Sequence, residues 1–139
     1  MAVAVAGVLA LLAALHAYWA TGGRRGWRIA LPESGGRPLI QPSARDCLVV
    51  ALALACAAFV VAAQGFGTPG VVPALLLRAA CFGVGAVLLV RAAGDRRYIG
   101  FLKRVRGTRF ARLDTWLYSP LCLLLGLGAL VVAVLGGRR

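Results

Sequence analysis

A chain of 139 residues is one domain by length. Hydrophobic residues make up 61%, charged residues only 14%, and the mean hydropathy is +0.87; a soluble domain of this size needs more polar surface, so that class is excluded. The net charge of +12 must then sit in clusters beside apolar segments, which is a membrane pattern; a nucleic-acid binder needs a basic face on a soluble fold.

The first apolar run, residues 2–20, has no formal charge and one histidine. At about 1.5 Å per residue it nearly crosses a hydrocarbon core of roughly 30 Å. A cleaved signal peptide would need a basic start and small residues at the cut. Nothing basic precedes this run, and Tyr18-Trp19 stands where small residues belong. The run therefore reads as a retained helix. Tyr18 and Trp19 suit an interfacial aromatic belt. His16 is one turn deeper, where an ionisable group is costly and usually faces protein or water.

Loop one, residues 21–46, carries Arg24, Arg25, Arg28, Arg37 and Arg45 among prolines and glycines. Trp27 and Ile29 should dip into the interface. Asp46 stands just before the next apolar run, where an N-cap satisfies free backbone N–H groups. Helix two is expected over about 47–64 and helix three over about 71–93. The uncharged link between them makes an antiparallel hairpin. Pro73 falls in the first turn of helix three, where a missing N–H matters least. Gly83 and Gly85 offer close helix contact. Arg78 lies inside this helix with no acid on its side of the bilayer; it reads as snorkelling to outer-leaflet headgroups or bonding to free carbonyls at helix ends, ahead of a transport role.

Residues 94–114 form loop three. Tyr98, Phe101, Leu102 and Val105 recur at i, i+3, i+4, i+7, which predicts an amphipathic helix lying in the interface. Lys103, Arg104 and Arg106 would then contact anionic lipid. Asp114 is expected to cap helix four, over about 115–135, with Ser119-Pro120 kinking it or starting it. The predicted fold is thus all-α, an integral membrane four-helix bundle with a cytoplasmic interfacial amphipathic helix.

Orientation follows the basic residues. Counting Arg91 just before it, loop three brings Arg91, Arg96, Arg97, Lys103, Arg104, Arg106, Arg109 and Arg112, and shares a side with loop one. The other side has only Arg138 and Arg139, in the tail. Both large loops are therefore expected in the cytoplasm and both termini outside.

The segments His16-Ala17-Tyr18-Trp19, Gly94-Asp95, Arg97-Tyr98-Ile99-Gly100-Phe101, Thr108 to Asp114, and Tyr118-Ser119-Pro120-Leu121-Cys122 carry a resemblance. The chain resembles a family of small bacterial four-helix membrane proteins catalogued as domain of unknown function 3995. The resemblance implies a bacterial plasma (inner) membrane location over essentially the whole chain, and no activity. The Arg-over-Lys bias fits a GC-rich bacterial genome.

The polar residues of interest gather at one depth: His16, Tyr18, Asp46, Arg91, Asp95, Arg97, Tyr98, Asp114, Tyr118 and Ser119. One reading is a headgroup or amphiphile site, with arginines holding an anion and His16 with an Asp moving protons. The blander reading is Arg–Asp pairs that clamp loops to the bundle. A non-catalytic accessory or scaffold subunit of a membrane complex is the alternative, which a co-purifying membrane-protein partner would reveal. A small dimeric transporter is less favoured, because no acid lies mid-membrane. Known enzyme signatures are absent. No cofactor or metal is expected, and Cys47, Cys56, Cys81 and Cys122 read as soft hydrophobes. The expected partners are membrane lipids and either a membrane protein or a second copy, not nucleic acid.

Overall fold

In a computed structural model, residues 1–34, 37–67 and 72–136 are described. Four helices are long and apolar enough to cross a membrane: α1 (Ala2–Ala20), α2 (Ala44–Phe66), α3 (Ala74–Ala93) and α4 (Arg109–Leu135). The fold is all-helical, apart from a minimal antiparallel ribbon. In it β1 (Glu33–Ser34) faces β2 (Arg37–Pro38), with Glu33 opposite Pro38. This architecture is compatible with a multi-pass membrane protein. The expected start of helix three at Val71, the end of the preceding link, Gly35-Gly36 and the tail from Gly137 lie outside the described residues.

The helices pair mainly as α1 with α2 and α3 with α4. Val5 and Leu9 of α1, Val61 of α2, Cys81 of α3, and Leu125, Ala129 and Val132 of α4 form the common core. Most large apolar side chains point outward: Leu11, Leu52, Leu75, Val87 and Leu124 are all exposed. An exposed apolar sheath on an apolar core is what lipid contact produces. Gly85 brings α3 against α4, since a Cβ there would lie 3.1 Å from the Gly126 carbonyl oxygen and meet the Leu130 side chain. Gly83 faces open space and has no such role. At the far end, the Gln64 amide donates to the Gly136 carbonyl at 3.2 Å, tying α2 to the end of α4.

Three helix starts differ from expectation. Helix α3 begins at Ala74, with Pro73 as its N-cap and not inside its first turn; the other two differ because of capping chemistry. Ser43, not Asp46, is the N-cap of α2. The Ser43 hydroxyl accepts the Asp46 N–H at 3.3 Å, and Asp46 Oδ2 accepts the Ser43 N–H at 2.8 Å. This is a capping box, so α2 begins three residues earlier than the apolar run. Likewise Thr108 caps α4 through a 3.0 Å bond from the Ala111 N–H, and the helix starts at Arg109. Asp114 is therefore inside a helix and caps nothing.

Ser119-Pro120 neither begins nor breaks α4. Residues Asp114–Tyr118 form a π turn, with the Ser119 N–H reaching back to the Asp114 carbonyl. Pro120 has no N–H to offer, and its ring would crowd the carbonyl four residues back. The wider turn opens that space and lets the helix continue.

Candidate functional site at the loop end

Asp114 is wholly buried. Its Oδ1 accepts from Arg91 Nη2 at 3.0 Å. Its Oδ2 accepts from Lys103 Nζ at 2.9 Å and from the Gly100 N–H at 2.7 Å. Lys103 is itself only 2% exposed and donates a second bond to the Gly100 carbonyl at 2.9 Å. One carboxylate thus holds the end of α3, the middle of loop three and the start of α4. Two cations surround one anion, so the cluster keeps a net positive charge. Removing one partner of a buried pair commonly costs about 3–5 kcal/mol, because the other charge is stranded.

Loop three is built to deliver these groups. The Gly94 N–H bonds to the Val90 carbonyl at the end of α3. The chain then turns so that Asp95 Oδ1 accepts the N–H groups of Arg97, Tyr98 and Ile99. These donors, Tyr98 first and then Ile99, hold the Asp95 carboxyl below its ordinary value of 3.8. The segment returns to α3: the Phe101 N–H reaches the Ala92 carbonyl at 2.9 Å and the Leu102 N–H reaches Ala93 at 3.2 Å. Gly94 and Gly100 both have positive φ, +80° and +84°, and their backbones press together. A Cβ on either would fall on backbone atoms of the opposing strand of the loop.

The expected amphipathic helix over 98–105 is overturned. These residues form bends and a turn, not a helix. Helical spacing of four apolar residues lost to Gly100, whose left-handed backbone aims its N–H at Asp114. Phe101 and Leu102 are exposed together at the loop tip, 40% and 59%, so apolar surface is still presented. Lys103, expected at anionic lipid, is drawn inside. Arg104 and Arg106 are exposed.

The remaining polar residues do not converge on one site. Asp46 is spent on Ser43. Asp95 pairs with backbone and not with Arg91 or Arg97; the Arg97 guanidinium instead lies 5.2 Å over the Tyr98 ring. His16 Nδ1 donates to the Leu12 carbonyl of its own helix at 2.8 Å. Its ring meets Trp19 edge-on, and Trp19 meets Trp27 in turn. No hydrogen bond joins His16 to an Asp among the described residues, so the geometry supplies no His–Asp proton relay. Tyr18 is exposed, with its ring against Gly23. Tyr118 reaches across to loop one, its hydroxyl donating to the Ile29 carbonyl at 3.4 Å. Glu33 accepts the Arg109 N–H at 3.0 Å, so loop one docks on the first turn of α4. Ser119, five residues after Asp114, is buried, and its hydroxyl has no hydrogen-bond partner among the described residues. Arg78 is exposed early in α3, its guanidinium 5.9 Å from the Phe82 ring centre.

Sequence reasoning did not find Lys103, Gly100, Ser43 or Thr108 in these roles. Ser43 was within reach, since Ser-x-x-Asp ahead of an apolar run is a capping signature. Nothing local marks Lys103 as the one basic side chain of its cluster that turns inward.

A family model described as a protein of unknown function (DUF3995) matches residues 9–129. No curated protein and no solved structure matches the chain.

Proposed function

The chain belongs to the DUF3995 family, which brings no activity with it, and from that premise we propose a bacterial inner-membrane protein whose loop end lies in the cytoplasm and binds anionic lipid headgroups. One observation carries this reading: every acid in the chain is engaged away from the surface arginines. Glu33 takes the Arg109 backbone, Asp46 takes Ser43, Asp95 takes three backbone N–H groups, and Asp114 takes Arg91, Lys103 and Gly100. The only ion pairs among the described residues are the two on Asp114. Among the described residues, the exposed Arg24, Arg25, Arg28, Arg37, Arg45, Arg96, Arg97, Arg104, Arg106, Arg109 and Arg112 have no carboxylate partner. All belong to the two loops or the helix turns that flank them.

A surface of that kind needs counter-ions, and the headgroup layer of a cytoplasmic leaflet supplies them. Each basic residue near such a surface contributes about 1 kcal/mol at low salt. The same sign of charge sets the loops inside by the positive-inside rule. The exposed Trp116 and the Trp19–Trp27 pair fit a headgroup-level aromatic belt. The test is tryptophan quenching of the reconstituted protein by brominated phosphatidylglycerol against brominated phosphatidylcholine. Stronger quenching by the anionic lipid at equal mole fraction is expected, weakening with salt; equal quenching by both lipids would remove the proposal.

A further inference from the structure

At the loop end, the last turn of α1 and the first turns of α2 leave an open groove of about 300 Å³ between them. Ala17, Ala20 and Thr21 line it from α1, and Ala44, Arg45 and Leu48 from α2. The space exists because three of these residues end at Cβ. Leu48 is half exposed into it, at 49%. Arg45 is the single charged residue of the lining, and it is exposed. The acid beside it in sequence, Asp46, is turned back to the Ser43 N–H and hydroxyl and forms no ion pair with Arg45.

We infer that this groove is a site for one anionic membrane phospholipid. Its phosphate pairs with the Arg45 guanidinium, and the upper part of one acyl chain lies against Ala17, Ala20 and Leu48. Charge complementarity selects the occupant: an apolar trough bordered by one arginine that has no carboxylate partner among the described residues matches an amphiphile with one anionic group. A peptide segment would need partners for its backbone N–H and C=O groups, and this lining offers few. The volume stands at the low end of small-molecule sites, roughly 300–1,000 Å³, which suits part of one chain rather than a whole lipid. Guanidinium and phosphate also form strong charge-assisted bonds. This inference rests on the reading of the loop end as a lipid-facing basic surface, and gives that surface one defined site.

Native mass spectrometry of the delipidated full chain, titrated with phosphatidylglycerol or phosphatidylcholine, tests it. The wild type should take its first phosphatidylglycerol about fivefold more tightly than its first phosphatidylcholine, the effect of one well-placed charge. Arg45→Gln should abolish that preference, and Ala17→Leu, which fills the groove, should weaken both lipids. Curves for both variants that superimpose on the wild type would overturn the site. If anionic lipid still quenches the tryptophans preferentially in that case, the broader surface proposal stands and the groove alone fails. A dimer that Ala17→Leu dissociates, with no lipid retained, would assign the groove to a second copy and overturn the lipid. Should Ala17→Leu fail to fold, Arg45→Gln, a change at an exposed position, carries the decision.

Discussion

Lys103 and Asp114 lie 2.9 Å apart with both side chains almost wholly removed from solvent, at 2% and 0% exposure. They stand eleven residues apart in the chain and on different elements, one in a loop and one in a helix. Asp114→Ala should therefore strand two cations and the Gly100 N–H, and cost about 3–5 kcal/mol. Asp114→Asn should be milder, since it keeps an acceptor for Gly100. Lys103→Met should be milder still, because Arg91 and Gly100 continue to satisfy Asp114. Thermal melts in detergent would rank the three, and a double-mutant cycle should return a coupling between Lys103 and Asp114. Additive effects would mean that the pair is not formed.

Asp95 works through the backbone, so its chemistry predicts a different order. Asp95→Asn keeps the acceptor for Arg97, Tyr98 and Ile99 and should be clearly milder than Asp95→Ala. The depressed carboxyl also gives a pH signature. Its folded-state value lies below the unfolded 3.8, so the stabilisation is fully present above that value. It is lost as pH falls through the folded-state value. The melting difference between wild type and Asp95→Ala should be constant from pH 7 to about pH 5 and shrink in stronger acid. A difference that grows on acidification would contradict the assignment.

Gly94→Ala and Gly100→Ala should each destabilise by more than about 1 kcal/mol, since both combine positive φ with backbone contact. Gly107→Ala is the control: nothing lies within 4 Å of a Cβ there. Limited proteolysis of loop three would report the same ranking, with cleavage accelerated in the first two variants. Equal cleavage in all three would show that the Gly94–Gly100 contact does not hold the loop.

Membrane orientation has its own check. In a cysteine-free background, Gly107→Cys should be protected from an impermeant thiol reagent in intact cells, and Gly67→Cys should react. The opposite pattern would invert the topology and move the arginine surface to the outer face.

Replacing Arg96, Arg97, Arg104 and Arg106 by Gln should reduce preferential quenching by brominated phosphatidylglycerol, by about 1 kcal/mol per charge at low salt. Lys103→Gln should not act as a fifth member of that series, because Lys103 points inward. Its effect should appear in the melting temperature instead.

The four helices long and apolar enough to cross a membrane were legible in the sequence because hydropathy is a local property: each run declares itself without knowledge of its neighbours. The family resemblance was legible too, since motifs such as Gly94-Asp95 and Tyr118-Ser119-Pro120 are read from the letters alone. What loop three does with its charges was not. Periodicity placed Tyr98, Phe101, Leu102 and Val105 on one helical face, yet the loop is folded by long-range partners. Asp114 draws on Arg91 twenty-three residues back, Gly100 fourteen back and Lys103 eleven back. A buried carboxylate must find donors wherever the fold brings them, and that requirement outweighed a local helical pattern. The sequence by itself determined the spans and the uneven distribution of charge. Only the tertiary structure decided which charges are consumed inside and which remain exposed, because burial depends on what packs around a residue and not on the residues beside it.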